Sequence, residues 1–160
     1  MESIGWRARQ PAPLLVLEGP QGEVVERHPR LFGSNVLLVI LHGPGCPGCT
    51  RIAKELCEHR RTWEAWGTRV MVLHAGPKPF LDLPFPQERD PDGATRRRYG
   101  GQEADAVIVC LGHGGTYMEG WRLRHREEVD WHEIGQTVRW VAVQEPECAT
   151  CSIDPVWEDM

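Results

Sequence analysis

The stretch that decides the fold is VLLVILHGPGCPGC, residues 36–49. Its first six residues are apolar and rich in β-branched side chains, which is typical of a short strand buried on both faces. After a glycine- and proline-rich turn, apolar positions from Cys49 to Trp63 recur near a 3.6-residue period and predict a helix that begins at Pro47. A second apolar strand over 69–74 completes a right-handed β-α-β unit. The two cysteines of the motif therefore lie where a strand meets a helix.

Turn signals on either side of this unit predict the remaining elements. Leu14–Leu17 and Glu23–Glu26 flank the turn sequence GPQG and predict a β-hairpin. Prolines spread through residues 76–89 exclude long regular structure there. The elements predicted further on are a short helix over 94–99, a core strand over 106–111, its hairpin partner over 116–121, and an amphipathic helix over 130–145 that ends at Pro146.

Composition limits the class of protein and its partners. The chain has 160 residues, of which 41% are hydrophobic and 26% charged, so we expect one globular domain over 1–146 and an acidic tail over 147–160. The longest apolar run has only six residues, whereas a bilayer span needs about 20. We find no secretory signal, and we expect a cytoplasmic protein without a membrane partner. A net charge of −5 argues against nucleic-acid binding, and the run Arg96-Arg97-Arg98 is interpreted as a solvated helix face.

The first cysteine pair carries the strongest chemical signal. With Cys46 as the N-cap, Pro47 occupies the first helical position, where its missing N–H costs nothing, followed by Gly48 and Cys49. The helix amides and the positive end of the helix dipole then favour the thiolate form of Cys46. We expect Cys46 to attack a disulfide and Cys49 to resolve the mixed disulfide. The alternatives to this redox role are that the two cysteines bind a metal ion, or that they are inert buried thiols.

Other candidate residues lie near this motif or far from it. His42 ends the strand and could tune the thiolate or carry a proton, although a satisfied loop histidine is the simpler interpretation. Cys148 and Cys151 form a second Cys-x-x-Cys pair after a helix of about 24 Å, which places the two pairs at opposite poles and disfavours one Cys₄ zinc site. A local disulfide, half of an intermolecular metal or disulfide site, a second redox dithiol and inert thiols stay open for it.

Two further expectations concern packing. Cys57 lies two turns into the first helix and is predicted to be a core thiol, like Cys110 in its strand. Trp6, Trp121 and Trp157 are interpreted as partner-facing side chains, which is weak evidence for a homodimer.

The chain resembles a known superfamily in several places. They are the hairpin around Pro13–Leu17, the motif at 36–49, Asp90–Gly93 followed by Tyr99-Gly100, and the strand pair after residue 105. The chain resembles the thioredoxin superfamily, and within it the redoxin or peroxiredoxin-like (AhpC/TSA) branch. The resemblance implies an α/β thioredoxin-like fold, with a central mixed sheet flanked by helices and an N-terminal hairpin extension. It also implies thiol-dependent redox activity. The substrate would be a protein or low-molecular-weight disulfide and the reductant a cellular dithiol; we expect no cofactor and no metal.

Two departures from the family pattern affect the functional prediction. Its peroxidases carry Thr or Ser three residues before the peroxidatic cysteine and an Arg near the start of the penultimate strand. Here the residue three positions before the cysteine is Gly43 if Cys46 is peroxidatic and Cys46 if Cys49 is. Residues 103–106, near the start of the later strand, contain no arginine. Thioredoxins place a cis-proline where Ala104 and Asp105 stand. We therefore predict a thiol–disulfide oxidoreductase, with a peroxiredoxin-like peroxidase and a non-catalytic protein that uses its thiols for metal binding or assembly as alternatives.

Overall fold

A computed structural model describes residues 1–124 and 127–151, with the backbone alone over 145–151. Within these residues the chain forms nine strands, three α-helices and two short 3₁₀ turns. The strands are β1 (Glu2–Ser3), β2 (Gln10–Pro11), β3 (Leu15–Glu18), β4 (Val24–Arg27), β5 (Asn35–Leu41), β6 (Thr68–His74), β7 (Gln87–Arg89), β8 (Asp105–Leu111) and β9 (Thr116–Arg124). The helices are α1 (Pro47–Ala65), α2 (Ala94–Arg98) and α3 (Trp131–Cys151).

A mixed sheet forms the centre of the molecule. Its order is β1-β9-β8-β5-β6-β7, with β2 also paired to β9, while β3 and β4 form a separate hairpin. β5 is parallel to β6 and antiparallel to β8, and all seven of its residues are buried, as its apolar sequence predicts. The predicted mixed sheet and the N-terminal hairpin are both confirmed.

Alternate residues of β5 face two different hydrophobic clusters. Leu37, Val39 and Leu41 pack with α1 and α3 on one face of the sheet. Val36, Leu38 and Ile40 pack with β3 and with Tyr99 at the end of α2 on the other. This period of two places α1 on one side of β5 and α2 on the other. The end of β5 is therefore the point at which residues from both faces meet.

The structure corrects the expectation that tryptophans mark a partner surface. Trp121 is 1% exposed and lies in the core beneath α3. Trp6 packs inside the chain against Tyr117, with ring centroids 5.2 Å apart, because β1 and β2 fold the N-terminal arm onto β9. Trp157 lies outside the described residues. The homodimer stays a prediction that has lost two of its three supporting residues.

The last helix is longer than the sequence predicts. α3 continues through Pro146 to Cys151, so the expected end at Pro146 is wrong. Proline has no N–H for the bond to the carbonyl four residues earlier, but the turns before it lie on the sheet through Ile134, Val138 and Val141. The lost bond alone does not end the helix. None of the described helices combines the length and the hydropathy of a membrane-spanning segment.

His74 at the end of β6 makes the stability of the fold depend on pH. Burial lowers the pKa of His74 below its ordinary value, and Arg89 acts in the same direction, while the Gly76 carbonyl and Glu18 oppose them. The unfolded chain therefore binds a proton at a higher pH than the folded chain does, and stability falls as pH drops below about 6.5. We expect His74→Gln to lose less stability between about pH 7.5 and 5.5 than the wild type in urea titrations.

The matched control for this prediction is His113→Gln, because His113 is an exposed turn residue. It should keep the wild-type pH profile. If the stability of His74→Gln fell with pH in parallel with that of the wild type, His74 would not be the source of the pH dependence.

Candidate active site

Cys46 is the N-cap of α1, as predicted. Its backbone is extended, with φ −96° and ψ 116°, and its Sγ accepts a hydrogen bond from the Cys49 N–H at 3.4 Å. Pro47 follows at the first helical position, and the Cys46 carbonyl accepts from the Thr50 N–H at 3.0 Å to begin the helical ladder. Cys46 is partly exposed, and it caps the positive end of a 19-residue helix.

Cys49 lies beneath Cys46 on the buried face of α1. It is 2% exposed, and burial raises the pKa of its thiol to about 11. The two Sγ atoms lie within 4.8 Å of each other, although both cysteines are free thiols. One sulfur is therefore accessible and the other is protected, so the structure brings together the two predicted residues in different environments.

His42 links the cysteine pair to the loop before β8. Its Nε2 lies 2.7 Å from the Glu103 carbonyl, and its Nδ1 lies 3.3 Å from the Cys49 Sγ. A carbonyl oxygen only accepts, so Nε2 carries a proton, and when the ring is neutral Nδ1 faces the thiol as an acceptor. The His42 backbone N–H also donates to the same sulfur at 3.2 Å. His42 is thus a direct contact of Cys49.

Arg96 is a site residue that the sequence analysis missed. The interpretation of residues 96–98 as a solvated face is wrong for Arg96, which is 4% exposed, and holds for Arg97 and Arg98, which are exposed. The available signal was geometric: successive helical residues point about 100° apart, so three in a row cannot share one face.

The Arg96 guanidinium reaches the end of β5 from α2. Its Nη2 donates to the Leu41 carbonyl at 3.1 Å. The buried Asp90 carboxylate accepts from the backbone N–H groups of Thr95 and Arg96 at 2.7 and 3.2 Å, which fixes the start of α2. Burial lowers the pKa of Arg96, whereas Asp90 and Cys49 raise it. A cation thus lies within electrostatic reach of Cys49, on the sheet face opposite α1.

A cavity of about 490 Å³ adjoins Cys46 and His42. The residues that line it are His42, Gly43, Pro44, Gly45, Cys46, Gly76, Pro77 and Lys78. Gly43 has a φ of 149°, a backbone conformation that favours glycine, and a Cβ there would make an ordinary contact with the Gly76 Cα at 3.5 Å. The lining is mostly backbone and apolar, which leaves an extended segment room to reach the Cys46 sulfur.

Two of the other cysteines, Cys57 and Cys110, do not join this site. Cys57 is exposed, so the prediction of a core thiol is wrong: it lies at the edge of the apolar stripe of α1, whereas Cys110 is buried as expected. α3 runs away from the motif, since Gln144 already bonds Arg9 beside the start of β9. The side chains of Cys148 and Cys151 lie outside the described residues, and every interpretation of that pair stays a prediction.

Comparison with known proteins gives structural neighbours only. No family model matches the chain, and no curated protein matches it. A putative thiol:disulfide interchange protein DsbE from Chlorobium tepidum matches with a TM-score of 0.64 and 20% identity, over 86% of this chain and 99% of that one. A peroxiredoxin-like protein from Aquifex aeolicus has a TM-score of 0.64 and 15% identity, over 87% of this chain and 91% of that one. A putative thioredoxin from Neisseria meningitidis has a TM-score of 0.61 and 19% identity, over 86% of this chain and 93% of that one.

These likenesses establish the class of fold. The chain has a thioredoxin-like fold, which these disulfide interchange, thioredoxin and peroxiredoxin-like structures share, and this confirms the fold that the sequence predicts.

Proposed function

We propose that this chain is a thiol–disulfide oxidoreductase in which Cys46 attacks and Cys49 resolves. The observation that carries the proposal is the asymmetry of the pair: Cys46 is a partly exposed helix cap, and Cys49 is buried within 4.8 Å of it. Exchange needs one accessible thiolate and one protected thiol that reacts only after the substrate is attached. The structural neighbours that are named as interchange proteins and thioredoxins agree with this chemistry.

In the first step the Cys46 thiolate attacks one sulfur of the substrate disulfide. A bond forms between Cys46 Sγ and that sulfur, the substrate S–S bond breaks, and the departing thiolate takes a proton from water. The Cys49 N–H, which lies 3.4 Å from Cys46 Sγ, stabilises the attacking thiolate. The open cavity beside Cys46 accommodates the chain that carries the disulfide.

In the second step Cys49 releases the substrate. The Cys49 proton passes to His42 Nδ1, 3.3 Å away, and the resulting thiolate attacks Cys46 Sγ. A Cys46–Cys49 disulfide forms, the mixed disulfide breaks, and the second substrate thiolate is protonated. The substrate has then gained two electrons and two protons, and a cellular dithiol returns the protein to its reduced form. A protein or low-molecular-weight disulfide as substrate and a cytoplasmic setting belong to this proposal.

Trapping the intermediate tests the order of the two steps. In Cys49→Ser, Cys46 still attacks but nothing resolves the adduct, so we expect a stable mixed disulfide between Cys46 and an insulin chain. Mass spectrometry of the acid-quenched, alkylated protein identifies the bond. Cys46→Ser is the matched variant, and it should give no adduct. An adduct through Cys49 in that variant, or none in either, would refute the assigned roles.

Peroxide reduction is the second candidate function, because Arg96 supplies a cation within electrostatic reach of Cys49. Two features argue against it. Cys49 is 2% exposed with a raised thiol pKa, and Gly43 stands three residues before Cys46, where peroxidases of the family have a hydroxyl. Hydrogen peroxide consumption by the reduced chain, compared with Arg96→Gln, which removes the cation, distinguishes the two candidates.

A further inference from the structure

The same site has the geometry of a three-ligand metal centre. His42 Nδ1, Cys46 Sγ and Cys49 Sγ all lie within 4.8 Å of one another, and the Nδ1–Cys49 Sγ distance is 3.3 Å. Around a tetrahedral Zn²⁺, bonds of about 2.3 Å to sulfur and about 2.0 Å to nitrogen place neighbouring ligand atoms about 3.5–3.8 Å apart. Shifts of about 1 Å or less would bring the three atoms to these separations.

The hydrogen bonds of His42 are those that a metal-binding histidine needs. A ligating imidazole presents its lone pair to the metal and donates its other ring N–H to a backbone carbonyl or carboxylate. Here Nε2 donates to the Glu103 carbonyl at 2.7 Å, which leaves the lone pair of Nδ1 directed at the cysteine pair. The ring orientation is therefore fixed by a contact outside the cluster, which is an observation independent of the ligand distances.

Charge and access also suit a divalent cation. Two thiolates this close repel each other, whereas Zn²⁺ with two thiolates is neutral and can occupy a site with one buried ligand. The cavity beside Cys46 and His42 leaves a fourth coordination position for water or a small ligand. Cysteine and histidine ligands select Zn²⁺ over Mg²⁺ or Ca²⁺.

We propose that the reduced chain binds one Zn²⁺ through His42 Nδ1, Cys46 Sγ and Cys49 Sγ, and that the bound ion blocks disulfide exchange. Each thiol that enters the site as S–H loses its proton as its Zn–S bond forms. The Cys46–Cys49 disulfide has no thiolates to offer, so oxidation and zinc binding exclude each other. The inference concerns the proposed exchange site but does not depend on exchange activity.

Zinc titration of the full chain tests the proposal. The reduced protein carries Cys148→Ser and Cys151→Ser to remove the second pair, and a chromophoric chelator competes for Zn²⁺ while native mass spectrometry counts bound ions. We expect one Zn²⁺ per chain. Cys46→Ser and Cys49→Ser should each weaken binding by about 100-fold or more, and His42→Ala by at least about tenfold. Cys57→Ser and His113→Ala are the matched controls and should bind as the parent does.

Oxidation provides a test that needs no substitution in the site. Diamide should abolish zinc binding, and dithiol reduction should restore it. Insulin reduction should be slow with one equivalent of Zn²⁺ and recover with EDTA. No zinc bound by the reduced chain, or binding that survives oxidation or is unchanged in His42→Ala, would overturn the proposal. The rate in EDTA reports on exchange separately, so failure of the zinc site and failure of the proposed function are distinguishable.

Discussion

Cys46→Ser should lower the rate of insulin-disulfide reduction by about a thousandfold or more. A serine hydroxyl is almost entirely protonated at neutral pH, so the helix cap would hold a group that cannot attack sulfur. Cys46 is the partly exposed member of the pair, and Cys49 beneath it is buried with a raised thiol pKa, so the second cysteine cannot take over the attack. The measurement is the rate of insulin reduction with EDTA present and a dithiol in excess.

Cys57→Ser is the matched control for this substitution. Cys57 is another exposed thiol on α1, but its Sγ contacts the Ala53 carbonyl and lies away from the helix N-terminus. Its variant should keep the wild-type rate. If Cys46→Ser retained more than about a tenth of the wild-type rate, Cys46 would not be the nucleophile.

Asp90→Asn should lower the free energy of unfolding by about 3 kcal/mol, at the upper end of the cost of leaving a buried hydrogen-bonding group without its partner. Asp90 is fully buried, and its carboxylate accepts from the backbone N–H groups of Thr95 and Arg96. An asparagine has one acceptor oxygen in place of two, and its NH₂ group would face a backbone N–H. It also removes the negative charge beside the buried Arg96 guanidinium.

Asp92→Asn is the control, because Asp92 is exposed two residues away and asparagine tolerates its φ of 56°. Urea unfolding should show a change of about 0.5 kcal/mol or less for this variant. An Asp90→Asn change as small as that of the control would contradict the role of Asp90 in holding α2 and Arg96 in place.

Much of the fold follows from local pattern in the sequence. The six-residue apolar run of β5 predicts a central strand, and Cys46-Pro47 predicts the cap and first turn of α1, because both depend on residues adjacent in the chain. The turn residues between β3 and β4 predict their hairpin. The sequence did not predict the later part of α3, because Pro146 was expected to end the helix. That expectation counts the cost of one missing hydrogen bond and not the contacts of the whole helix.

The candidate site was predicted only where it is local. The cysteine pair and His42 fall within eight residues, so the motif alone brings them together. Arg96 and the Glu103 carbonyl come from other parts of the fold: Arg96 reaches the Leu41 carbonyl from α2, which Asp90 holds in place, and the Glu103 carbonyl reaches His42 from the loop before β8. Helix geometry shows that Arg96, Arg97 and Arg98 cannot all share one solvated face, but no period or spacing in the sequence gives the group that the inward arginine reaches.

If Cys46 and Cys49 form one redox couple, a peptide map after a single turnover should show the disulfide between them. The reduced full chain is mixed with a slight excess of insulin, and the reaction is quenched in acid and alkylated. Mass spectrometry then identifies the disulfide-linked peptides. We expect a Cys46–Cys49 disulfide in proportion to the insulin thiols released. Released insulin thiols while both cysteines stay alkylated and unlinked, or a disulfide between other cysteines, would contradict it.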